Sequence, residues 1–295
     1  MKLLKRFFAP AAAVLSLASP AAAAPVRAHP ALWSVSDADT TVYLFGTIHL
    51  LPENYQWRTP KFDQAIDSSQ QLVVETIVDD KDPTKIMSAL SSLAFSPGLP
   101  PLDQRVPPAK RAALAAAVKK SGFPPGALDR METWAAAFIL LGTQFREMGL
   151  KGQEGVEAVL RNAFTSKGKP VGELETNVEQ LGFFDTLPEK AQRQLLEGAI
   201  TQSKDMKSDF GGMLAAWSRG DVKAIARTFN HDLAASPELQ QALIKRRNEN
   251  WTKWIEQRLA SPGSVLIAVG AGHLAGEDSV VAMLKKDGYR VRQVQ

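Results

Sequence analysis

Two matched stretches near opposite ends of the chain constrain its fold more than any other feature. Residues 41–50 and residues 265–274 each consist of an apolar run typical of a β-strand, followed by the pattern Gly-x-x-His. The histidines of these patterns are His49 and His273, and the whole chain contains only four histidines. Glycine after a strand allows the backbone to turn sharply and to approach a bound group closely. We therefore expect the fold to bring these two strand ends together.

The first 24 residues have the layout of a secretory signal peptide. Residues 1–24 begin with basic side chains, continue with an apolar middle and end in small residues. The apolar middle is shorter than the roughly 20 residues that a membrane-spanning helix needs, although an uncleaved anchor is the alternative interpretation. We expect removal of the segment, no stable membrane span afterwards, and a periplasmic or secreted protein.

Composition excludes several classes of function for the remaining residues 25–295, which are long enough for one large domain. The chain has no cysteine, so thiolate catalysis, cysteine-bound zinc and disulfides are excluded. The formal net charge is +4, but three of the basic residues lie in the signal segment, which leaves the mature chain near +1. Such a balance argues against nucleic acid as a partner. A peptide or a small molecule is the expected substrate.

The order of apolar runs and turn signals predicts an α/β fold with a mixed, largely parallel central sheet and helices on both faces. Two long helical insertions, at about residues 82–165 and 177–260, interrupt this sheet. The predicted strands cover residues 32–35, 42–45, 71–77, 169–176, 264–269 and 288–291. Among the predicted helices are residues 60–69, 128–148, 154–165 and 237–259.

Four of the predicted strands end in an ionisable side chain: His49, Glu75, Glu175 and His273. In α/β sheets, ligands bind at the edge where the carboxyl ends of the strands meet. Convergence of these four groups at one edge is therefore the main hypothesis for a functional site. Glu173 competes with Glu175, because residues two apart on a strand face the same side.

Two kinds of chemistry use histidines together with carboxylates. Imidazole and carboxylate ligands suit manganese, cobalt, zinc or iron, and a bound divalent metal ion lowers the pKa of a coordinated water. Alternatively, without a metal, a carboxylate orients a histidine that acts as a general base. Arg247 either supplies a cation for a developing oxyanion or belongs to a solvated helix face. Glu157 begins a helix, where an acidic residue is expected from the helix dipole alone, and Trp251 is expected in the core.

The order of these motifs resembles the TraB/GumN family. The resemblance is carried by Gly-Thr-Ile-His at residues 46–49, Glu75, the stretch at residues 169–176, Arg247-Asn248 and Val-Gly-Ala-Gly-His-Leu at residues 269–274. This family is similar to the Tiki metalloproteases of animals.

The resemblance implies a metal-dependent peptidase. His49, His273, Glu75 and Glu175 are then the candidate metal ligands, and Glu75, Glu175 and Arg247 are the candidate catalytic residues. A periplasmic ligand- or metal-binding protein without turnover, and a metal-free esterase-like hydrolase, are the alternatives.

Overall fold

A computed structural model describes residues 28–78, 82–200, 203–233 and 236–295, so the predicted signal peptide at residues 1–24 lies outside the described residues. Eight strands are present in these ranges. They are β1 (Leu32–Ser36), β2 (Thr40–Thr47), β3 (Leu51–Pro52), β4 (Gln71–Val74), β5 (Leu150–Lys151), β6 (Val171–Glu173), β7 (Gly263–Gly270) and β8 (Val291–Gln293).

Six of the strands form a mixed, largely parallel sheet in the order β6-β4-β7-β2-β1-β8. β1 is antiparallel to both of its neighbours, whereas β6, β4, β7 and β2 are parallel to one another. Thr47 pairs with Gly270, and Val74 pairs with both Ala268 and Glu173. The carboxyl ends of these four strands therefore lie at one edge, and the predicted fold class is confirmed.

Helices surround the sheet. The described helices are α1 (Pro60–Ser68), α2 (Thr84–Leu93), α3 (Arg111–Ser121), α4 (Thr133–Glu147), α5 (Val156–Thr165), α6 (Asn177–Asp185), α7 (Glu189–Ala199), α8 (Ser203–Ser218), α9 (Val222–Leu233), α10 (Pro237–Gln240), α11 (Arg246–Leu259) and α12 (Val280–Lys286). None of the helices in these ranges is both long and apolar enough to cross a membrane.

Apolar side chains cover both faces of the sheet, which explains the uninterrupted apolar run of β7. Leu266 and Ala268 belong to a buried cluster with residues of α1, α5 and α8. Val265, Ile267 and Val269 point to the opposite face and pack with α11 and α12. Full burial of one such Leu, Ile or Val side chain contributes about 1.5–3 kcal/mol. Burial on both faces is the expected environment of a parallel strand.

The long stretch between β4 and α8 divides into two packing units. Helices α2, α3, α4, α6 and α7 bury their apolar residues in clusters of their own, around side chains such as Trp134 and Leu140. Helix α5 and strand β6 instead pack on or within the central sheet. The edge of the sheet is thus flanked by a helical layer that comes from the middle of the chain.

Helix α4 begins at Thr133, five residues later than the predicted start at 128. The preceding residues are held as turns, because buried Arg105 donates hydrogen bonds to the carbonyls of Asp129 and Met131. These bonds compete with helical pairing of the same carbonyl groups. Tertiary contacts therefore override the local helical pattern at this point.

Residues 237–259 form one continuous helix that contains a π-helical turn, Gln241–Lys245, between α10 and α11. A π-helical turn carries an extra residue, and such turns are frequent at functional sites. The extra residue rotates the following turn relative to the preceding one. Directly after it, Arg247, Asn248 and Trp251 are buried.

Candidate functional site

The structure places all four ionisable strand-end residues at the carboxyl edge of the sheet. His49 follows β2, Glu75 directly follows β4, and Glu175 lies two residues beyond β6. His273 lies in a short 3₁₀ helix, Ala271–Leu274, immediately after β7. Three of the four are buried, since Glu75, Glu175 and His273 are each only 6% exposed.

Arg247 joins the three buried groups. Its Nε donates to both carboxylate oxygens of Glu175, at 3.0 and 3.1 Å, and its Nη2 donates to Glu175 Oε2 at 2.7 Å. The same Nη2 donates to Glu75 Oε2 at 2.8 Å, and Nη1 lies 3.2 Å from Nε2 of His273. Trp251 donates from Nε1 to Glu175 Oε1 at 2.9 Å, and its ring lies 4.7 Å from the Arg247 guanidinium. A single cation is therefore shared by two carboxylates that are buried away from water.

Glu75 is held by two elements besides α11. The backbone N–H of Gly270 donates to Glu75 Oε1 at 2.6 Å. The side chain of Gln180, on α6, donates to Glu75 Oε2 at 3.1 Å. A methyl group added to Gly270 would lie 3.1 Å from Glu75 Oε1, 3.5 Å from His49 Nε2 and 3.6 Å from His273 Cδ2. The bare backbone of Gly270 thus lets two imidazoles and a carboxylate surround one position.

The tautomer of His273 follows from its neighbour Asn248. The Asn248 side chain donates from Nδ2 to the Asp278 carbonyl at 2.7 Å, so its Oδ1 accepts from His273 Nδ1, also at 2.7 Å. Nε2 of the neutral ring then carries the lone pair that faces Arg247 Nη1. Burial lowers the pKa of His273 to about 3, against the opposing charge of Glu75. The ring is therefore neutral over the physiological range.

The two carboxylates that share Arg247 have opposite pKa shifts. Burial raises the pKa of Glu75, but nearby His273, Arg247 and His49 and the Gly270 N–H lower it to about 2. His273 contributes charge only below its own pKa of about 3, so at neutral pH the positive charges beside Glu75 are those of Arg247 and His49. Burial outweighs the bonds from Arg247 at Glu175, so the pKa of Glu175 is raised. Burial also lowers the pKa of Arg247, and the two carboxylates more than reverse that effect.

His49 differs from the buried groups because 65% of its side chain is exposed. Its Nδ1 donates to Glu157 Oε1 at 2.6 Å, and the Thr47 hydroxyl donates to the same oxygen. The charge of Glu157 raises the pKa of His49 to about 9. Nε2 of His49 makes no hydrogen bond to another residue in the described ranges and faces Gly270.

A close backbone contact positions Glu157 against His49. Helix α5 begins beside the end of β2, where Val156 N–H donates to the Ile48 carbonyl at 3.1 Å. A Cβ atom at Gly155 would lie only 2.0 Å from the carbonyl oxygen of His49, so this approach requires glycine. The first turn of α5 then carries Glu157 to the imidazole.

A cavity of about 300 Å³ opens beside these groups. It is lined by His49, Glu75, Thr76, Val78, Gly152, Glu157, Ala158, Arg161 and Gln180. Three larger hollows on the described surface, of about 660, 630 and 590 Å³, lie beside α12, beside α3 and at residues 95–99, and contain none of the strand-end residues. The smaller cavity is the candidate reaction site, because it alone among these four is lined by strand-end residues, namely His49 and Glu75.

The sequence left three features of this site open or missed them. Glu157 was assigned to the helix dipole alone, yet it binds His49. Trp251 lies in the core as expected, and its bond to Glu175 was not foreseen. Between the two competing residues of the β6 region, Glu175 joins the cluster, whereas Glu173 accepts from the Ile77 N–H at 2.7 Å. The sequence does contain one signal for the contact of Glu157 with His49. Gly155, directly before α5, allows the start of this helix to approach the backbone of His49 closely.

The side chains offer metal-binding donor types but not a complete ligand set in their present arrangement. No group of three or more His, Asp or Glu side chains within the described ranges is disposed to hold a metal ion. Both oxygens of Glu175 are bound by Arg247, and Nε2 of His273 faces the same guanidinium. Nε2 of His49 and Oε1 of Glu75 are the ligand atoms that Arg247 does not contact. The metal roles of the four residues stay a prediction.

The fold and the site define an α/β protein with histidine and glutamate side chains at the carboxyl ends of its parallel strands. Residues 31–293 match the model of the TraB/PrgY/gumN family, and the chain belongs to this family. This confirms the resemblance to TraB/GumN proteins seen in the sequence.

Named relatives come from bacteria and from an animal. The uncharacterized protein YbaP of Escherichia coli (strain K12) and that of Shigella flexneri are each 25% identical over 247 residues, 82% of this chain and 87% of the relative. A metalloprotease TIKI homolog of Amphimedon queenslandica is 26% identical over 320 residues, 89% of this chain and 61% of that protein. No solved structure gives a significant match.

Proposed function

We propose that this protein is a hydrolase that cleaves peptide bonds in the cavity beside His49. The observation that carries the proposal is the position of His49, whose Nδ1 is held by Glu157 while Nε2 faces the same small space as Glu75 Oε1. A histidine oriented by a carboxylate is the usual arrangement for proton transfer in hydrolysis. The name of the TIKI relative supports peptides as substrates.

The side chains of the cavity suit the two proton transfers of hydrolysis. The base is the neutral form of His49, whose Nε2 takes a proton from water as the water oxygen attacks the carbonyl carbon. Because the pKa of His49 is about 9, this form is the minor one at pH 7 and its share rises as the pH approaches 9. The carboxylate of Glu157 stabilises the imidazolium that forms, since it lies 2.6 Å from Nδ1. The imidazolium then returns the proton from Nε2 to the leaving amine. Glu75, fixed by Gly270 and Arg247, orients the water through Oε1.

The test compares wild-type protein with His49→Gln on a pool of defined peptides, with products identified by mass spectrometry. The proposal expects products from the wild type and at least a hundredfold lower rate in the variant, because general acid–base groups contribute about 10²–10⁴-fold. His29→Gln is the matched control, since His29 is also exposed but does not line the cavity. Equal rates in all three proteins would overturn the role of His49, and no product from the wild type would favour a binding protein.

A metal-dependent form of the same reaction is the second candidate, favoured by the donor types at His49 and Glu75 and by the relative named a metalloprotease. These two residues would hold the ion, which when bound supplies a water of lowered pKa. Metal analysis of the purified protein, with His49→Gln and Glu75→Gln beside it, tests this form. Near-stoichiometric manganese, cobalt, zinc or iron that both variants lose would support it. Full activity after chelation would refute it.

We also propose that the protein is periplasmic or secreted, because residues 1–24 have the composition of a signal peptide. Amino-terminal sequencing of the protein recovered from its native cell tests this proposal. A mature terminus near residue 25 is expected, and an intact Met1 in a cytoplasmic fraction would contradict it.

A further inference from the structure

Arg161 is a cation in the reaction cavity that the proposed chemistry does not use. It lies one turn after Glu157 on the same face of α5, and both side chains line the cavity. The Arg161 Nη1 donates to the Val78 carbonyl, which fixes the guanidinium at the cavity wall. Within the described residues, Arg161 makes no ion pair with a carboxylate. It therefore keeps hydrogen-bond donors and a full charge for a ligand.

The other charged groups of the cavity are already paired. Glu157 binds His49, and Glu75 binds Arg247. Neither carboxylate turns to Arg161, although all three side chains border the same 300 Å³ space. Among the described residues that line this space, a ligand meets one cation without a carboxylate partner, which favours an anionic group.

A second feature of the cavity also lacks a partner. The hydroxyl oxygen of Thr76 is buried and makes no hydrogen bond to any described residue, and Thr76 lines the cavity. A buried polar atom without a partner costs about 1–3 kcal/mol unless a ligand or water satisfies it. Val78 and Ala158 provide the apolar part of the wall. The buried hydroxyl lies behind the cavity wall, so an occupant meets the Arg161 cation and apolar surface.

We propose that the guanidinium of Arg161 binds a carboxylate of the substrate, so that peptides with a free carboxylate close to the cleaved bond are the preferred class. A planar guanidinium matches a carboxylate through two parallel hydrogen bonds. A phosphate dianion fits less well, because Glu75 and Glu157 would repel its second charge. This inference rests on the proposed hydrolysis in the same cavity, and it assigns to Arg161 a role in specificity.

Binding of small probes tests the inference separately from catalysis. We would titrate N-acetylleucine, N-acetylleucinamide and N-acetylaspartic acid α-amide into the wild-type protein by calorimetry, because Glu157 stays paired with His49 there. The first probe carries a terminal carboxylate, the second carries none, and the third carries a side-chain carboxylate. At least one carboxylate probe should bind ten times more tightly than the neutral amide, and the tighter one identifies the source of the carboxylate.

Two charge-removing variants complete the test. Arg161→Gln should weaken binding of the preferred probe at least tenfold, which is the typical effect of a charged hydrogen bond. Arg290→Gln removes the same charge from an exposed residue next to β8, at the other side of the sheet, and should leave binding unchanged. The inference is overturned if the neutral amide binds as tightly, if Arg161→Gln has no effect, or if no carboxylate probe binds. Because the titration measures binding and not cleavage, failure of peptide hydrolysis does not affect this result.

Discussion

Replacement of Arg247 by Met should destabilise the protein more than the loss of an ordinary buried side chain. Arg247 is 5% exposed, and its guanidinium donates to both Glu75 and Glu175. Methionine keeps much of the apolar contact but leaves two buried carboxylates side by side without a cation. Removal of one partner from a buried charge pair typically costs about 3–5 kcal/mol. We expect a loss in this range at pH 7, measured by urea unfolding in the presence of a chelator.

The loss of stability in Arg247→Met should be larger at pH 7 than at pH 5. Without Arg247, burial raises the pKa of each carboxyl in the folded variant above its unfolded value of 4.5. Such groups destabilise the folded state increasingly as pH rises above that value. Protonation of a carboxyl with a pKa of 4.5 costs about 3.4 kcal/mol at pH 7. This cost is the most stability that each carboxyl group can remove from the folded variant. At pH 5 the same cost falls to about 0.7 kcal/mol, so the variant should recover much of its stability.

Two further variants decide whether the carboxylates cause the loss. Arg105 is equally buried, but it donates to backbone carbonyls and to the Thr133 hydroxyl. Arg105→Met should therefore lose stability by an amount that differs little between pH 5 and pH 7. Addition of Glu175→Gln to Arg247→Met should restore part of the stability at pH 7. A loss below about 1 kcal/mol for Arg247→Met at pH 7, or the same loss at both pH values, would refute this reasoning.

Two other changes test how the histidines are held. Asn248→Ala removes the acceptor for His273 Nδ1, so a buried N–H then lacks a partner. We expect the free energy of unfolding, measured in urea, to fall by about 1–3 kcal/mol. A fall below about 0.5 kcal/mol would contradict the assigned tautomer. Gly155→Ala introduces a Cβ only 2.0 Å from the His49 carbonyl oxygen, so α5 must shift and Glu157 must leave His49. We expect a rate of peptide hydrolysis at least tenfold lower, with a stability loss of about 1–3 kcal/mol; unchanged hydrolysis would show that this contact does not position Glu157.

The sheet could be predicted because its strands are marked by both composition and position. Apolar runs of β2 and β7 are buried on both faces, so their sequence shows no alternation and is distinct from the neighbouring helices. Glycine and an ionisable residue after each run locate the carboxyl edge. The lengths of the other strands were less predictable. For example, the expected strand at residues 169–176 is reduced to Val171–Glu173, because Leu174 and Glu175 donate to the Glu75 carbonyl as the chain turns.

The partners within the site depend on tertiary contacts that leave little trace in the sequence. Arg247 lies in a basic stretch that resembles a solvated helix face, and only burial against β4 and β6 turns it into the centre of the cluster. Glu157 is explained locally by the helix dipole, and its contact with His49 depends on the approach of Gly155. Sequence patterns identify the groups at the edge of the sheet, whereas the pairs they form depend on how the helices dock.

The position of β7 has a consequence for how the protein is made. This strand lies between β4 and β2 at the centre of the sheet, although it is formed by Gly263–Gly270, close to the end of the chain. When the ribosome has completed the first 250 residues, it has made β1 and β2 on one side and β4 and β6 on the other. The strand that pairs with both β2 and β4 has not yet been made. Pairings between residues this far apart in sequence make folding slow. The Gly270 N–H that fixes Glu75 also arrives with β7, so a growing or truncated chain cannot assemble the reaction site before the rest of the fold is complete.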